Sequence, residues 1–263
     1  MFGKLLKYDF RSMFKQFAFI WPAALAVALV NHFTINSFVT STSDVRQTIS
    51  GVAVLVYFAI LITMFIIALI FTIQRFFKGL LGDEGYLMHT LPVKPWQLIA
   101  SKLLCAVVTT VISIIVAILS MFLFAPWDAE DFRQLFHGFG YLFSHWDMEV
   151  TRMLLSLLEL LLLFLVSMAV GYLQLYLSMS IGHLFNKNRV AMSVIAFIAI
   201  NALVSMLLSA LPAWNFDFDP FENLAGMTQF QAAIGIAILV ELVHAAVYFL
   251  GTEFILRKKL NLE

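Results

Sequence analysis

Charge is what this sequence lacks most. Asp, Glu, Lys and Arg make up 12% of its 263 residues, while 62% are hydrophobic and 27 are Phe. A soluble domain of this length carries about a quarter charged residues and is about half apolar, so the composition excludes that class and points to an integral membrane protein. Sixteen basic residues balance sixteen acidic ones, which leaves no global basic surface for nucleic acid. The single cysteine, Cys105, lies inside an apolar run, so there is neither a disulfide framework nor a cysteine metal site. Cleavable-leader character is also missing: "MFGKLLKYDFRSMFKQF" interleaves cations with aromatics and shows no small-residue cleavage site.

Catalytic and nucleotide motifs are absent too. Without a Gly-x-x-x-x-Gly-Lys-Ser/Thr run the chain has no loop to cradle nucleotide phosphates. A His-Glu-x-x-His zinc helix and a Gly-x-Ser-x-Gly elbow are both missing.

What is present is a set of long apolar runs. A hydrocarbon core of about 30 Å needs about 20 helical residues. Six stretches meet this, at about 17–39, 51–73, 103–125, 153–181, 191–212 and 230–254. Each is continuously apolar rather than alternating, so helices are expected, not barrel strands. With no linker long enough to join two domains, the chain reads as one transmembrane domain over 1–263, all-α, with six spans.

Lys and Arg set the orientation. With the N-terminus inside, inner segments hold Lys4, Lys7, Arg11, Lys15, Arg75, Lys78, Lys94, Lys102, Lys187, Arg189, Arg257, Lys258 and Lys259; outer segments hold Arg46, Arg133 and Arg152. That bias puts both termini in the cytoplasm. The aromatic outer segment 131–146 reads as an interfacial belt. In residues 1–16, cations recur at helical spacing, and Leu6, Phe10, Met13, Phe14 and Phe17 fall largely opposite. This describes an amphipathic helix in the inner headgroup region, serving as an anchor or touching a cytoplasmic partner.

The longest inner segment, 74–102, contains "GDEGYLMHTLPVKPWQL". Gly79, Gly82 and Gly85 are expected to interrupt helix, and Asp83 and Glu84 suit a new helix N-terminus. That short helix must end before Pro92, and Pro95 then fits the first turn of the helix entering span three. On physical grounds alone the segment is either an elbow that positions span three or a contact surface.

The run 82–104, "GDEGYLMHTLPVKPWQLIASKLL", resembles the acidic-Gly-Tyr-Leu, Thr-Leu-Pro-Val and Gln-Leu…Ser-Lys-Leu run of membrane permeases of ABC transporters of the ABC-2 exporter type. The whole-chain plan is similar as well. The resemblance implies that the loop is a coupling helix docking on a separate cytoplasmic ATPase, with Asp83, Glu84, Gly85, Tyr86, Leu87, Thr90, Leu91 and Pro92 in the contact. Met88 and His89 depart from the pattern. It further implies a second permease subunit (homodimer or heterodimer), with ATP and Mg held by the partner ATPase and no cofactor on this chain. The setting implied is a bacterial cell membrane and its lipid, with multiple passes.

Ionisable residues inside spans are costly and therefore informative. Glu159 lies near the outer end of span four; Glu241 and His244 lie one turn apart in span six on a face shared with Tyr248. They are candidates for polar lining of a pathway or dimer interface, and Glu241 with His244 can alternatively bond within one helix. Two ligands on one helix do not make a metal site. Gln174 and Asn201 read as interhelical hydrogen-bonding groups. Two other functions use the same residues differently: a stand-alone secondary carrier, or a membrane-embedded hydrolase built on Glu159, Glu241 and His244.

Overall fold

The computed structural model describes residues 2–39, 44–82, 93–125, 129–185, 187–209 and 224–258. Among these residues there are only helices and short turns. The helices are α1 (Phe2–Phe17), α2 (Ile20–Val39), α3 (Asp44–Phe76) continuing into a π-helical turn (Phe77–Leu81), α4 (Pro95–Phe124), α5 (Ala129–Ser144), α6 (Met148–Gly182), α7 (Arg189–Ser209) and α8 (Leu224–Lys258). Six helical stretches are long and apolar enough to cross a membrane: Phe2–Phe33, Gly51–Leu81, Pro95–Phe124, Met148–Gly182, Arg189–Ser209 and Thr228–Lys258. The protein is therefore an all-α, multi-pass membrane protein. Large apolar side chains stay exposed along the spans (Ile62 61%, Leu158 62%, Val243 62%), as helices that face lipid require.

The helices outrun the apolar windows read from sequence. The run at 51–73 belongs to a helix that continues to Leu81, and the run at 153–181 to one starting at Met148. Hydropathy marks the part that suits hydrocarbon, whereas backbone hydrogen bonding continues into the interface until a cap ends it. Gly79 does not break helix, contrary to expectation. It sits buried inside the π-turn, where an added Cβ would lie 3.5 Å from Lys102 Cε. Gly82 ends the turn in extended backbone, its N–H bonding Phe77 O across five residues at 2.8 Å.

The contacts form two compact units, Met1–Thr72 with Leu104–His145, and Ile73–Leu103 with Trp146–Glu263. In the first, Ala24 and Ala28 of α2 meet Tyr57, Leu61 and Met64 of α3 and Val116 and Ala117 of α4. Small residues one turn apart let helix backbones approach closely where no hydrophobic force drives them together. Hydroxyls of α4 tie this core. Ser120 Oγ donates to Ala117 O at 2.8 Å, so its 2.8 Å contact with Tyr57 must be donated by the Tyr57 hydroxyl. Ser113 donates to Thr109 O and accepts from Trp21 Nε1 at 3.0 Å.

In α1 the cations Lys4, Lys7, Arg11 and Lys15 are exposed, as expected, but the buried stripe is Leu5, Asp9, Met13 and Phe17. Phe14, expected opposite the cations, is 38% exposed and meets Trp21 edge-on at 5.4 Å. Every-fourth spacing defines the stripe, and it passes through an acid that an apolar count overlooks. The aromatic segment after span three forms α5, with Glu130 and Asp131 in its first turn. Phe132, Phe136 and Phe143 share one face of it and are 49%, 74% and 72% exposed. That outward aromatic face suits a helix lying in the headgroup layer.

In the second unit α6 packs against both α7 and α8. Gln231 meets Ser156, Glu241 meets Ser167, and Gly251 meets Leu177, each offset by 74 or 75 positions. A constant offset means that α6 and α8 run parallel. Parallel neighbours need one intervening crossing, and α7 supplies it. Asp147 caps α6, its carboxylate accepting from Val150 N at 2.9 Å. At the other end Gly182 lies so close to Ser193 and Arg189 O that no Cβ fits. Asn188 then takes a positive φ of 55° to start α7.

Candidate functional site

Two places carry the candidate residues. The first is the connection between α3 and α4. Asp83, Glu84, Gly85, Tyr86, Leu87, Thr90, Leu91 and Pro92 lie outside the described residues, as do Met88 and His89. Both flanks are described. On one side Phe76, Leu80 and Leu81 are 0%, 0% and 2% exposed; on the other, Leu98, Ile99 and Lys102 are 1%, 0% and 2% exposed. Phe76 stacks on Tyr176 of α6 with ring centres 4.0 Å apart and planes within 6°. Pro95 opens α4, in agreement with its expected place in the first helical turn. Ahead of it, Lys94 N–H donates to the Gln97 side chain at 3.3 Å, and Gln97 N–H donates to Lys94 O at 2.9 Å. This is the return half of a capping box, which fixes where the helix begins.

The second place is the seam between α6 and α8. Glu241 does not depend on its own helix for a partner: Ser167 Oγ of α6 donates to its Oε1 at 3.3 Å. Ten residues earlier on α8, Gln231 Nε2 donates to Ser156 Oγ at 3.2 Å and to Arg152 O at 3.3 Å. Glu159 lies between these pairs along α6, half-buried, and its Oε2 has no hydrogen-bond partner among the described residues. His244 stacks on Tyr248 one turn along α8, with centroids 5.9 Å apart. The three candidates are thus spaced along the two helices rather than gathered. Eight residues separate Glu159 from Ser167, a rise of about 12 Å, and His244 follows Glu241 by three residues on α8.

Sequence reading missed Ser167, Ser156 and Gln231 as seam partners, and the α4 hydroxyls Thr109, Ser113 and Ser120. Thr109 and Ser113 show the i,i+4 spacing that would have placed them on one face. No comparable signal marks Ser167. Two interhelical expectations are corrected. Asn201 is exposed and bonds Phe197 O of its own helix at 2.9 Å. The Gln174 Nε2 is buried with no partner among the described residues.

Comparison with protein-family models, curated proteins and solved structures returns no match to this chain.

Proposed function

We propose that the chain is the membrane-spanning permease subunit of an ATP-binding-cassette exporter of the ABC-2 type. A separate cytoplasmic ATPase and a second permease subunit would work with it. The observation that carries this reading is the build of the flanks of the α3–α4 connection. Spans in this protein leave much of their surface to lipid, yet each flank of this loop is anchored by buried side chains, Phe76, Leu80 and Leu81 before it and Leu98, Ile99 and Lys102 after it. The candidate spans that meet there are 31 and 30 residues long. At about 1.5 Å per residue they reach about 45 Å, longer than a core of about 30 Å. A force on residues 83–92 would pass into packed helix rather than into slack chain. That is the mechanical need of an element coupling ATPase closure to alternating access, and the resemblance of 82–104 to the family's coupling run agrees with it.

The seam supports a secondary point. Glu159 and the Ser167-held Glu241 give the α6–α8 face an acidic character that suits a cationic amphipathic substrate over an anionic one. The hydrolase alternative needs carboxylates and histidine converging on one substrate atom, and their separation along the seam weighs against it. A stand-alone carrier would use the same acids with an ion gradient.

The test is co-purification and coupled hydrolysis. Replacing Glu84–Leu87 with a Gly/Ser stretch should abolish association of a P-loop ATPase and transport-coupled ATP turnover while the chain still inserts. ATPase association and coupled turnover that survive the replacement would remove the reading. Uptake into vesicles driven by a proton gradient without ATP would favour the carrier.

A further inference from the structure

We propose that the outward face of α7 is an interface with a second copy of this chain, closed by hydrogen bonds between the two Asn201 side chains. Span α7 lies wholly within the second unit, where α6 packs against it. None of its residues is fully buried, whereas every other span holds at least one that is. The half-buried Met192, Ala196, Ile200 and Val204 mark its covered side. Turned away from them are Val194, Ile198, Asn201 and Ser205, all exposed. Steps of four, three and four residues draw these into one stripe, the spacing along which a second helix packs.

Asn201 makes lipid a poor cover for that stripe. It stands twelve residues past Arg189 in a helix of 21 residues. That is about 18 Å along a length of about 31 Å, at the depth of the hydrocarbon core. Its Nδ2 donates one hydrogen to Phe197 O at 2.9 Å. The second amide hydrogen and the carbonyl oxygen have no bond among the described residues. The exposed Thr63 of α3 differs, because its one donor is spent on Ala59 O at 2.7 Å. Uncommitted polar groups are costly in hydrocarbon and turn toward protein or water. Val194 and Ile198 keep the surrounding stripe apolar, which favours protein.

Topology then names the partner. Copies of one chain insert in one orientation, so two α7 helices related by a two-fold axis along the membrane normal run parallel. Each residue on the stripe meets its twin at the same depth. A carboxamide is its own complement, since the carbonyl and N–H of one match the N–H and carbonyl of the other. A lone Asn in an apolar heptad seam sets register and oligomeric state by the same pairing. Ala202 and Ser205 are small enough to let the backbones approach until the amides meet. The inference rests on the proposed function for the purpose of the dimer, which is the second permease subunit named there. Self-association is measured without ATPase or nucleotide, so its failure would leave the coupling loop untouched.

The chain's one cysteine, Cys105, is buried, so added cysteines can be read singly. Full-length chains are oxidised in native membranes with copper phenanthroline. Ile198→Cys and Ser205→Cys should each give a disulfide-linked dimer of this chain. Leu158→Cys and Val243→Cys, on exposed faces of α6 and α8, should give none. In phosphatidylcholine liposomes, energy transfer between labelled copies should show self-association about three- to ten-fold weaker in Asn201→Leu. Asn201→Gln, which keeps both bonding groups, should retain it. Absence of cross-linking on α7, or equal cross-linking at the α6 and α8 positions, would overturn the proposal. So would cross-links to a different chain, or unchanged self-association in Asn201→Leu.

Discussion

Ser167 of α6 donates its hydroxyl to Glu241 of α8 at 3.3 Å, and this bond places an ionisable group of one span in the care of another. In lipid such a bond contributes less than intuition suggests, because the unfolded helix also finds partners. Ser167→Ala is expected to cost about 0.6–1.7 kcal/mol, read from thermal unfolding in detergent. Glu241→Gln should cost less, since an amide still accepts the bond. Equal losses for the two variants would show that the carboxylate charge, not the bond, matters.

Glu159 should behave in the opposite way. Its buried oxygen lacks a partner among the described residues, so Glu159→Leu should stabilise the fold by about 1–3 kcal/mol. The same change should reduce export of cationic compounds if the acid lines their route. A destabilised Glu159→Leu protein would show that the carboxylate is structural.

Tyr57 and Ser120 offer a cleaner measurement. The Tyr57 hydroxyl donates to Ser120 at 2.8 Å inside the first unit, and both residues are buried. Tyr57→Phe and Ser120→Ala should each cost about 1 kcal/mol. The double variant should cost less than their sum. Additive losses would mean that the two hydroxyls are not coupled.

Gly182→Ala tests the α6–α7 turn. The new methyl must displace Ser193 or the Arg189 carbonyl, at a cost of about 1–3 kcal/mol. Gly171→Ala is the control, because a Cβ there meets nothing within 4 Å. Gly171→Ala should be neutral or stabilising, because alanine favours helix over glycine by about 1 kcal/mol, and an equal gain at Gly182 would show that its close approach costs nothing.

Phe76 stacks on Tyr176 where α3 approaches the loop, and neither ring is more than 1% exposed. Phe76→Ala should cost about 3–5 kcal/mol in stability. Phe76→Leu, which keeps bulk and loses the stack, should cost less. If the proposed coupling holds, Phe76→Leu should also lower transport-coupled ATP turnover while leaving ATPase association intact.

The parts legible in the sequence were those that depend on a residue's type and its near neighbours. Lipid-length apolar runs marked all six crossings, and Pro95 marked the start of α4. Helix ends were less legible, because Asp147 caps α6 through a backbone bond that hydropathy does not register. Pairing across helices was not legible. Ser167 looks like any other serine until the parallel register of α6 and α8 is known, and that register is a property of the assembled unit. Nothing in the sequence marks Asp9 as buried. Gly79 misled for a different reason: glycine usually interrupts a helix, but here it fits a turn crowded by Lys102.

The π-turn decides which side chains close the end of α3. A π-turn is an α-helix carrying one surplus residue. Shortening Phe77–Gly82 by one position would let ordinary α bonding resume. Gly79 would then lose the place that keeps it beside Lys102, so a single surplus backbone residue sets the packing at the described end of this helix.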